Sequence, residues 1–371
     1  MDLALIHLSD FHLRTSTQVE TDKVLSSLAT DLQDRFSSLE LPTPHVALSG
    51  DLAYGGREEE YALVDHFVDD LVDRLHARST VFCGGNHDVN WSLLSPMSGD
   101  LMKGMVERGG STTSTEEKFA NDTDREALKA GMGPYYSFLE RRGIKSAPGF
   151  YYVKSLPVAN LKLNLVSLNS AYLFSKQYNY HGYVGAGQMK AAESEIEAQG
   201  TQSFNITLVH HPLEAIVPLA QEATKRHLFS FSDIILNGHV HSPRVSVEYT
   251  GKMLGRTRPG PPPVVSCARC VFDEANDPTV TSGYSIIGLD FEYERIAQIK
   301  VWEVEFDKAS DRWYYDERKR TYPMVVKTPT ASEMDDRGTL VPTDQTGPKV
   351  TDQERRLLKK WKAGDSKTST Y

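Results

Sequence analysis

Five short apolar runs in this chain each stop on a polar break that carries metal-binding residue types. Leu3 to Leu8 ends on Ser9-Asp10-Phe11-His12, and His45 to Leu48 on Ser49-Gly50-Asp51. Thr80 to Cys83 ends on Gly84-Gly85-Asn86-His87-Asp88. Ile206 to Val209 meets His210-His211-Pro212, and Ile234 to Leu236 leads to Gly238-His239-Val240-His241. A short apolar run bounded by such a break reads as a buried strand. Amphipathic helices fill the gaps between the first three, over Val19 to Leu39 and Glu58 to Ala77. Strand–helix–strand order implies a parallel sheet. In open α/β sheets the loops at the carboxyl ends of the strands build the ligand site, so five separate loops can converge on one place.

The residue mix says what such a place would hold. Imidazoles, carboxylates and one side-chain amide, without a thiolate, suit divalent manganese, iron or zinc. The donors outnumber one tetrahedral or octahedral set. That favours two ions sharing a bridging carboxylate, about 3.5–4 Å apart, the arrangement used for hydrolysis at phosphorus. Glycine beside Asp51, Asn86 and His239 fits tight turns that bring backbone close to the ions. Each break alone has an ordinary reading, as a capping pair, a turn or a surface histidine. Five in order, each after a strand, do not.

The remainder of the chain sets limits. Its 371 residues suit one large α/β domain or two smaller ones. A net charge of −9 makes the whole chain a poor non-specific binder of nucleic acid or membrane. Three cysteines cannot form a disulfide scaffold, which points to a reducing compartment. The N-terminal apolar run is short and preceded by an acid, and no stretch reaches the roughly 18 apolar residues of a membrane span, so a cytoplasmic location without membrane contact is expected. Trp91 to Gly143, rich in Ser, Thr, Gly and charge, reads as a helical insertion acting as a lid, with helices near Thr115–Lys129 and Pro134–Arg141. Strands follow at Phe150–Val153 and Leu161–Leu168, a helix at Gln188–Gln199, and a hairpin of Tyr284–Phe291 and Ile296–Phe306 turning at Tyr293-Glu294. The expected catalytic domain is 1–322. Beyond it lie a linker (Pro323 to Gly347) and a tail in which, from Lys349 on, seven basic side chains face three acidic ones. Such a tail is a solvated terminus, or a dock for a partner protein or nucleic acid. Cys267-Ala268-Arg269-Cys270 has the spacing of a zinc or redox pair but no second pair, and reads as coincidence.

The five breaks together resemble the calcineurin-like metallophosphoesterase superfamily, over roughly Leu3 to His241. The stretch Gly50-Asp51-Leu52-Ala53-Tyr54-Gly55-Gly56, with Gly185-Ala186-Gly187-Gln188, is similar to bacterial members near the cyclic-nucleotide phosphodiesterases. The resemblance implies a four-layer α/β/β/α sandwich with two mixed β-sheets. It implies that Asp10, His12 and His241 hold one ion, that Asn86, His210 and His239 hold the other, and that Asp51 bridges them, with manganese foremost. It makes His87 either the proton donor to the leaving oxygen or a stabiliser of charge on the phosphate, and Asp88 the residue that orients the loop, one route being through His87. Attack by a water or hydroxide held between the ions follows from that picture. Many relatives carry a further acid or amide three residues after the bridging aspartate, where this chain has Tyr54.

Arg14, His211 and Asn169 are the candidate substrate contacts: Arg14 two residues past a ligand, His211 beside His210, Asn169 directly after the strand ending at Leu168. Tyr172, Phe174, Tyr178, Tyr180 and Tyr183 share one long loop and either stack on a ring substrate or pack over the sheet. A phosphodiesterase acting on a nucleotide or nucleic acid is the expected function. A phosphomonoesterase and a non-catalytic, metal-binding regulatory subunit are the alternatives.

Overall fold

The computed structural model describes residues 1–107, 112–146, 150–158, 161–200, 203–241, 244–247, 264–272, 282–292, 295–308, 310, 312–315 and 324–327. The first strand, β1 (Leu3–Leu8), is buried along its whole length, as its apolar sequence with a single histidine, His7, leads one to expect. After α1 (Gln18–Ser38) comes β2 (His45–Leu48), and after α2 (Glu58–Leu75) comes β3 (Ser79–Phe82). These three strands are parallel and in register, with Leu8 beside Leu48 and Leu48 beside Phe82. The register brings Asp10, Asp51 and Asn86 out at one end of the sheet. The hairpin of β10 (Gly283–Glu292) and β11 (Arg295–Asp307) adds antiparallel to β1. Its expected turn at 293–294 lies outside the described residues. Two short strands, β12 (Arg312–Tyr315) and β13 (Met324–Lys327), pair with β11 and complete seven strands. β13 therefore falls within the segment expected to be linker.

The second sheet has the order β4-β5-β6-β7-β9-β8. Its strands are β4 (Tyr151–Val158), β5 (Leu161–Leu168), β6 (Ser203–Val209), β7 (Ile234–Asn237), β8 (Arg244–Val247) and β9 (Val264–Cys267). β5, β6, β7 and β9 run parallel, with β4 and β8 antiparallel at the edges. β4 continues past the expected end at Val153 through Pro157, which an edge strand accommodates because no ladder bond is lost on its open side. α7 (Ala186–Ala198) packs on β4 and β5 and against α8 (Pro218–Phe231). Both sheets are mixed, and one continuous apolar core draws residues from both, the architecture the resemblance implied.

The insertion holds α3 (Pro96–Glu107), α4 (Thr112–Ala120), α5 (Asp122–Lys129) and α6 (Gly133–Arg141). The single helix expected over Thr115–Lys129 is split because the Asn121 side chain accepts from the Asp124 amide at 3.1 Å and caps α5. The segment packs against the body of the domain. Phe119, Met132, Tyr135 and Phe138 are buried, and the Ser98 hydroxyl receives the Phe174 amide at 2.8 Å. Arg142 pairs with Asp65 and Asp69 of α2, each at 2.8 Å. Met1–Thr328 forms one compact unit. The basic tail lies outside the described residues.

Candidate metal centre

The parallel registers bring the five loops together. Asp10 and His12 follow β1, Asp51 follows β2, Asn86 and His87 follow β3, His210 follows β6, and His239 and His241 follow β7. The seven expected ligands form a closed ring of contacts. His241 Nε2 lies 3.2 Å from Asp10 Oδ1, and its ring centre is 5.5 Å from that of His12. His12 Nε2 is 3.4 Å from Asp51 Oδ2, and His210 Nε2 approaches the same oxygen at 3.3 Å. The Asn86 carbonyl oxygen is shared by His210 Nε2 at 3.1 Å and His239 Nδ1 at 3.0 Å. The His239 amide closes the ring by donating to Asp10 at 3.2 Å.

Local backbone geometry aims these groups. Eight non-glycine residues among those described have positive φ, and five of them are Asp10, His12, Asp51, His239 and His241. Left-handed backbone is rare outside glycine and collects at functional sites. The glycines leave room rather than bend alone. A side chain at Gly85 would strike the Asp51 carboxylate, and one at Gly50 (φ +105) would strike the His210 ring.

The electrostatics ask for positive charge. Asp10 and Asp51 are 0% and 2% exposed. Burial pushes the Asp51 carboxyl upward, but His210, His87 and His12 around it hold it well below the usual carboxylate range. In return, although burial pulls His210 down, Asp51 and Asp10 raise it to about 9. His12 is likewise lifted well above its ordinary value by Asp51 and Cys270 against the pull of burial. His239 is pushed down to about 4, by burial and then by His210. The His210 Nδ1 nitrogen donates to the Ser49 carbonyl at 2.8 Å, which leaves Nε2 to face Asp51 and Asn86. Oxygen and imidazole donors sharing buried carboxylates in this way fit two divalent cations, with Asp51 between them.

Asp88 does not touch His87. Its carboxylate receives the Leu52 and Ala53 amides at 3.1 and 3.0 Å, the Gly85 amide at 2.8 Å and the Tyr61 hydroxyl at 2.8 Å. It thus ties the loop of Asp51 to the loop of Asn86. Burial, and then the charge of Asp51, raise its carboxyl to about 6. His87 donates its amide to Asp51 Oδ1 at 2.7 Å and its Nδ1 to the Tyr54 carbonyl at 2.8 Å. Tyr54, which stands where many relatives carry an acid or amide, is 40% exposed beside the His87 ring.

The candidate substrate contacts part company. A bridge between Leu13 and Ala53 sets Arg14 over the Tyr54 ring, its guanidinium carbon 4.5 Å from the centroid. The His211 ring lies tilted with its centre 4.5 Å from that of His239, with Nδ1 on the Ser170 hydroxyl at 2.8 Å and a buried Nε2 without a hydrogen-bond partner. Asn169 faces the interior, where it donates to the Tyr136 hydroxyl at 3.0 Å and accepts from the Ala171 amide at 2.8 Å. Of the aromatic loop, Tyr172, Phe174 and Tyr183 are core, while Tyr180 is 50% exposed. The Tyr180 ring lies 5.2 Å from that of His239, and its carbonyl is 3.1 Å from His239 Nε2. Nothing in the sequence pointed to that carbonyl, and Cys270 read there as coincidence, although the Cys270 sulfur lies within 4.8 Å of a ring nitrogen of His12 and of His241.

Residues 3–243 match the family described as calcineurin-like phosphoesterase. No curated protein matches the chain in sequence. Among solved structures, a dimetal phosphatase from Danio rerio is 10% identical with a TM-score of 0.45, covering 88% of this chain and 99% of that one. A Plasmodium protein described as the anchor in the inner membrane complex is 12% identical, with a TM-score of 0.46 and coverage of 90% and 91%. A purple acid phosphatase from yellow lupin is 13% identical, with a TM-score of 0.43, covering 84% of this chain and 52% of that one.

Proposed function

The chain belongs to the calcineurin-like phosphoesterase family, and we propose that it is a dinuclear metal-dependent phosphodiesterase acting on a nucleotide or nucleic-acid ester. The observation that carries the reading is the closed ring of seven donors with His87 at its rim. Asp10, His12 and His241 would hold one cation and Asn86, His210 and His239 the other, with Asp51 between them; manganese is the first metal to supply. When bound, the cations provide charge for the phosphoryl oxygens and make a water acidic near neutral pH.

The protein's own groups do the rest. Asp51 and Asp10 fix the imidazoles in place through the contacts above. The His87 Nδ1–H is committed to the Tyr54 carbonyl, so the ring is held in one orientation. A ring nitrogen of His87 lies within 4.8 Å of an Asp51 oxygen and a His12 nitrogen. From there it can deliver a proton to the departing oxygen, a role typically worth about 10²–10⁴-fold in rate. A purely regulatory use of the fold has no need of that histidine. The preference for a diester rests on two exposed rings, Tyr54 beside His87 and Tyr180 beside His239. They offer stacking surfaces for the groups on either side of a phosphodiester.

One panel tests this. The full chain, loaded with manganese, is offered a bis-aryl phosphate, an aryl monophosphate, cyclic nucleotides, and single- and double-stranded DNA. The expected result is fastest turnover of a diester. Preference for the monoester would replace the reading with a phosphatase, and turnover of none with metal bound would leave a regulatory subunit.

A further inference from the structure

On the reading that this centre holds two cations, we propose that Cys270 supplies a thiolate to the ion held by Asp10, His12 and His241. The residue comes from none of the five loops that carry the family resemblance. It follows β9 and is pinned against the end of β1. A parallel bridge joins it to Ser9, the Val271 amide donates to the Ser9 carbonyl at 3.0 Å, and the Gly283 amide donates to the Cys270 carbonyl at 2.9 Å. This clamp fixes the side chain beneath the Asp10 loop, where it is fully buried.

The Cys270 sulfur and one ring nitrogen each of His12 and His241 lie within 4.8 Å of one another. Ligands to one ion sit about 2.0–2.3 Å from it, so small side-chain rotations bring all three onto a common centre. The thiol now points at the Asp10 carbonyl at 3.1 Å; on binding, sulfur bonds to the metal and its proton leaves to solvent. The other two cysteines are turned elsewhere, Cys267 toward the Gly238 carbonyl at 3.3 Å and Cys83 toward the Leu168 carbonyl at 3.2 Å. Soft thiolate favours zinc or iron over manganese. The two positions of the centre then differ: the Asn86, His210 and His239 side has oxygen and nitrogen donors alone, and the Cys270 side is the softer.

X-ray absorption on the zinc-loaded full chain reads this directly, without reference to turnover. The expected wild-type spectrum holds a sulfur shell near 2.3 Å besides the nitrogen and oxygen shell, its amplitude that of one sulfur ligand for every two zinc ions. Cys270→Ser should lose that shell while keeping bound zinc. Should that variant fail to fold, the double variant Cys83→Ser/Cys267→Ser, in which Cys270 is the remaining cysteine, should retain it. Zinc bound through nitrogen and oxygen alone, or a sulfur shell that survives in Cys270→Ser, overturns the proposal and leaves the dinuclear reading standing. Failure of the wild-type chain to bind zinc overturns both.

Discussion

The floor of the metal centre and its rim are built from the same loops but obey different physics. On the floor, Asp10, Asp51, Asn86 and His210 are between 0% and 6% exposed, and their side chains contact one another and the histidines of the ring. On the rim, Tyr54 and Tyr180 are 40% and 50% exposed and His87 stands between water and the floor. Buried charge must be matched where it sits, or it costs several kcal/mol. Exposed aromatic rings remain able to meet something that arrives. On the proposed function the floor would hold the ions and the rim would meet substrate, and substitutions should separate them.

The sharpest break comes from Asp51→Asn. It keeps the shape and removes the charge shared by His12 and His210. Bound metal should fall below two ions per chain, and activity should drop by more than about 100-fold, the upper range for losing even a group that only supports a ligand; metal analysis beside a rate assay decides it. His87→Ala should do the reverse, keeping both metals while slowing turnover about 10²–10⁴-fold on poor leaving groups and far less on activated ones. Equal slowing on both would remove His87 as the proton donor. Asp88→Ala tests the strut under the floor. It strands three buried amides and a tyrosine hydroxyl, and should cost about 2–4 kcal/mol of stability in a denaturant titration, with metal binding weakened as well. Tyr180→Ala is the mildest, a rise in KM of roughly tenfold for an aromatic diester at unchanged metal content, if one stacking contact is lost.

A further expectation concerns the sheet beneath the floor. Burial in the first sheet, aided by the nearby charges of Arg78 and Lys154, lowers His45 to about 4. Burial likewise lowers His7 to about 3, against the pull of Asp10. Both rings are held neutral in the folded chain, so the unfolded chain binds more protons below its own value near 6.5. The stability they confer is fully present above about pH 6.5 and is lost as pH falls toward 4. The melting temperature in the presence of a chelator should decline over that window, and His45→Gln should flatten the decline.

Most of the centre could be read in the sequence because parallel strands convert chain order into position. Once Leu8, Leu48 and Phe82 are in register, the residues after them have nowhere else to emerge. What escaped was long-range or weakly patterned. Cys270 reaches the site by a bridge to Ser9, far away in sequence. The family resemblance stops before it. α3 starts on Pro96 and contains Gly99 and Gly104, which mask its period. β8, β9, β12 and β13 are four-residue strands whose pairing partners, not their own residues, make them strands. Asn169 looked like a pocket residue by its place after β5, but the packed insertion meets it first through Tyr136.

The five proposed ligands with left-handed backbone narrow the vocabulary of the site. Asparagine, aspartate and histidine are the non-glycine residues that most readily tolerate positive φ, and they are also metal donors. At positions 10, 12, 51, 239 and 241 a replacement has to satisfy both conditions at once. Glycine relaxes the backbone and removes the donor. Glutamate retains a carboxylate but gives up that backbone tolerance and lengthens the reach. Few single changes at these positions would preserve both the backbone and the donor, whereas Tyr54, Tyr180 and Arg14 are bound by neither condition and, on the proposed function, are where a change of substrate would meet least resistance.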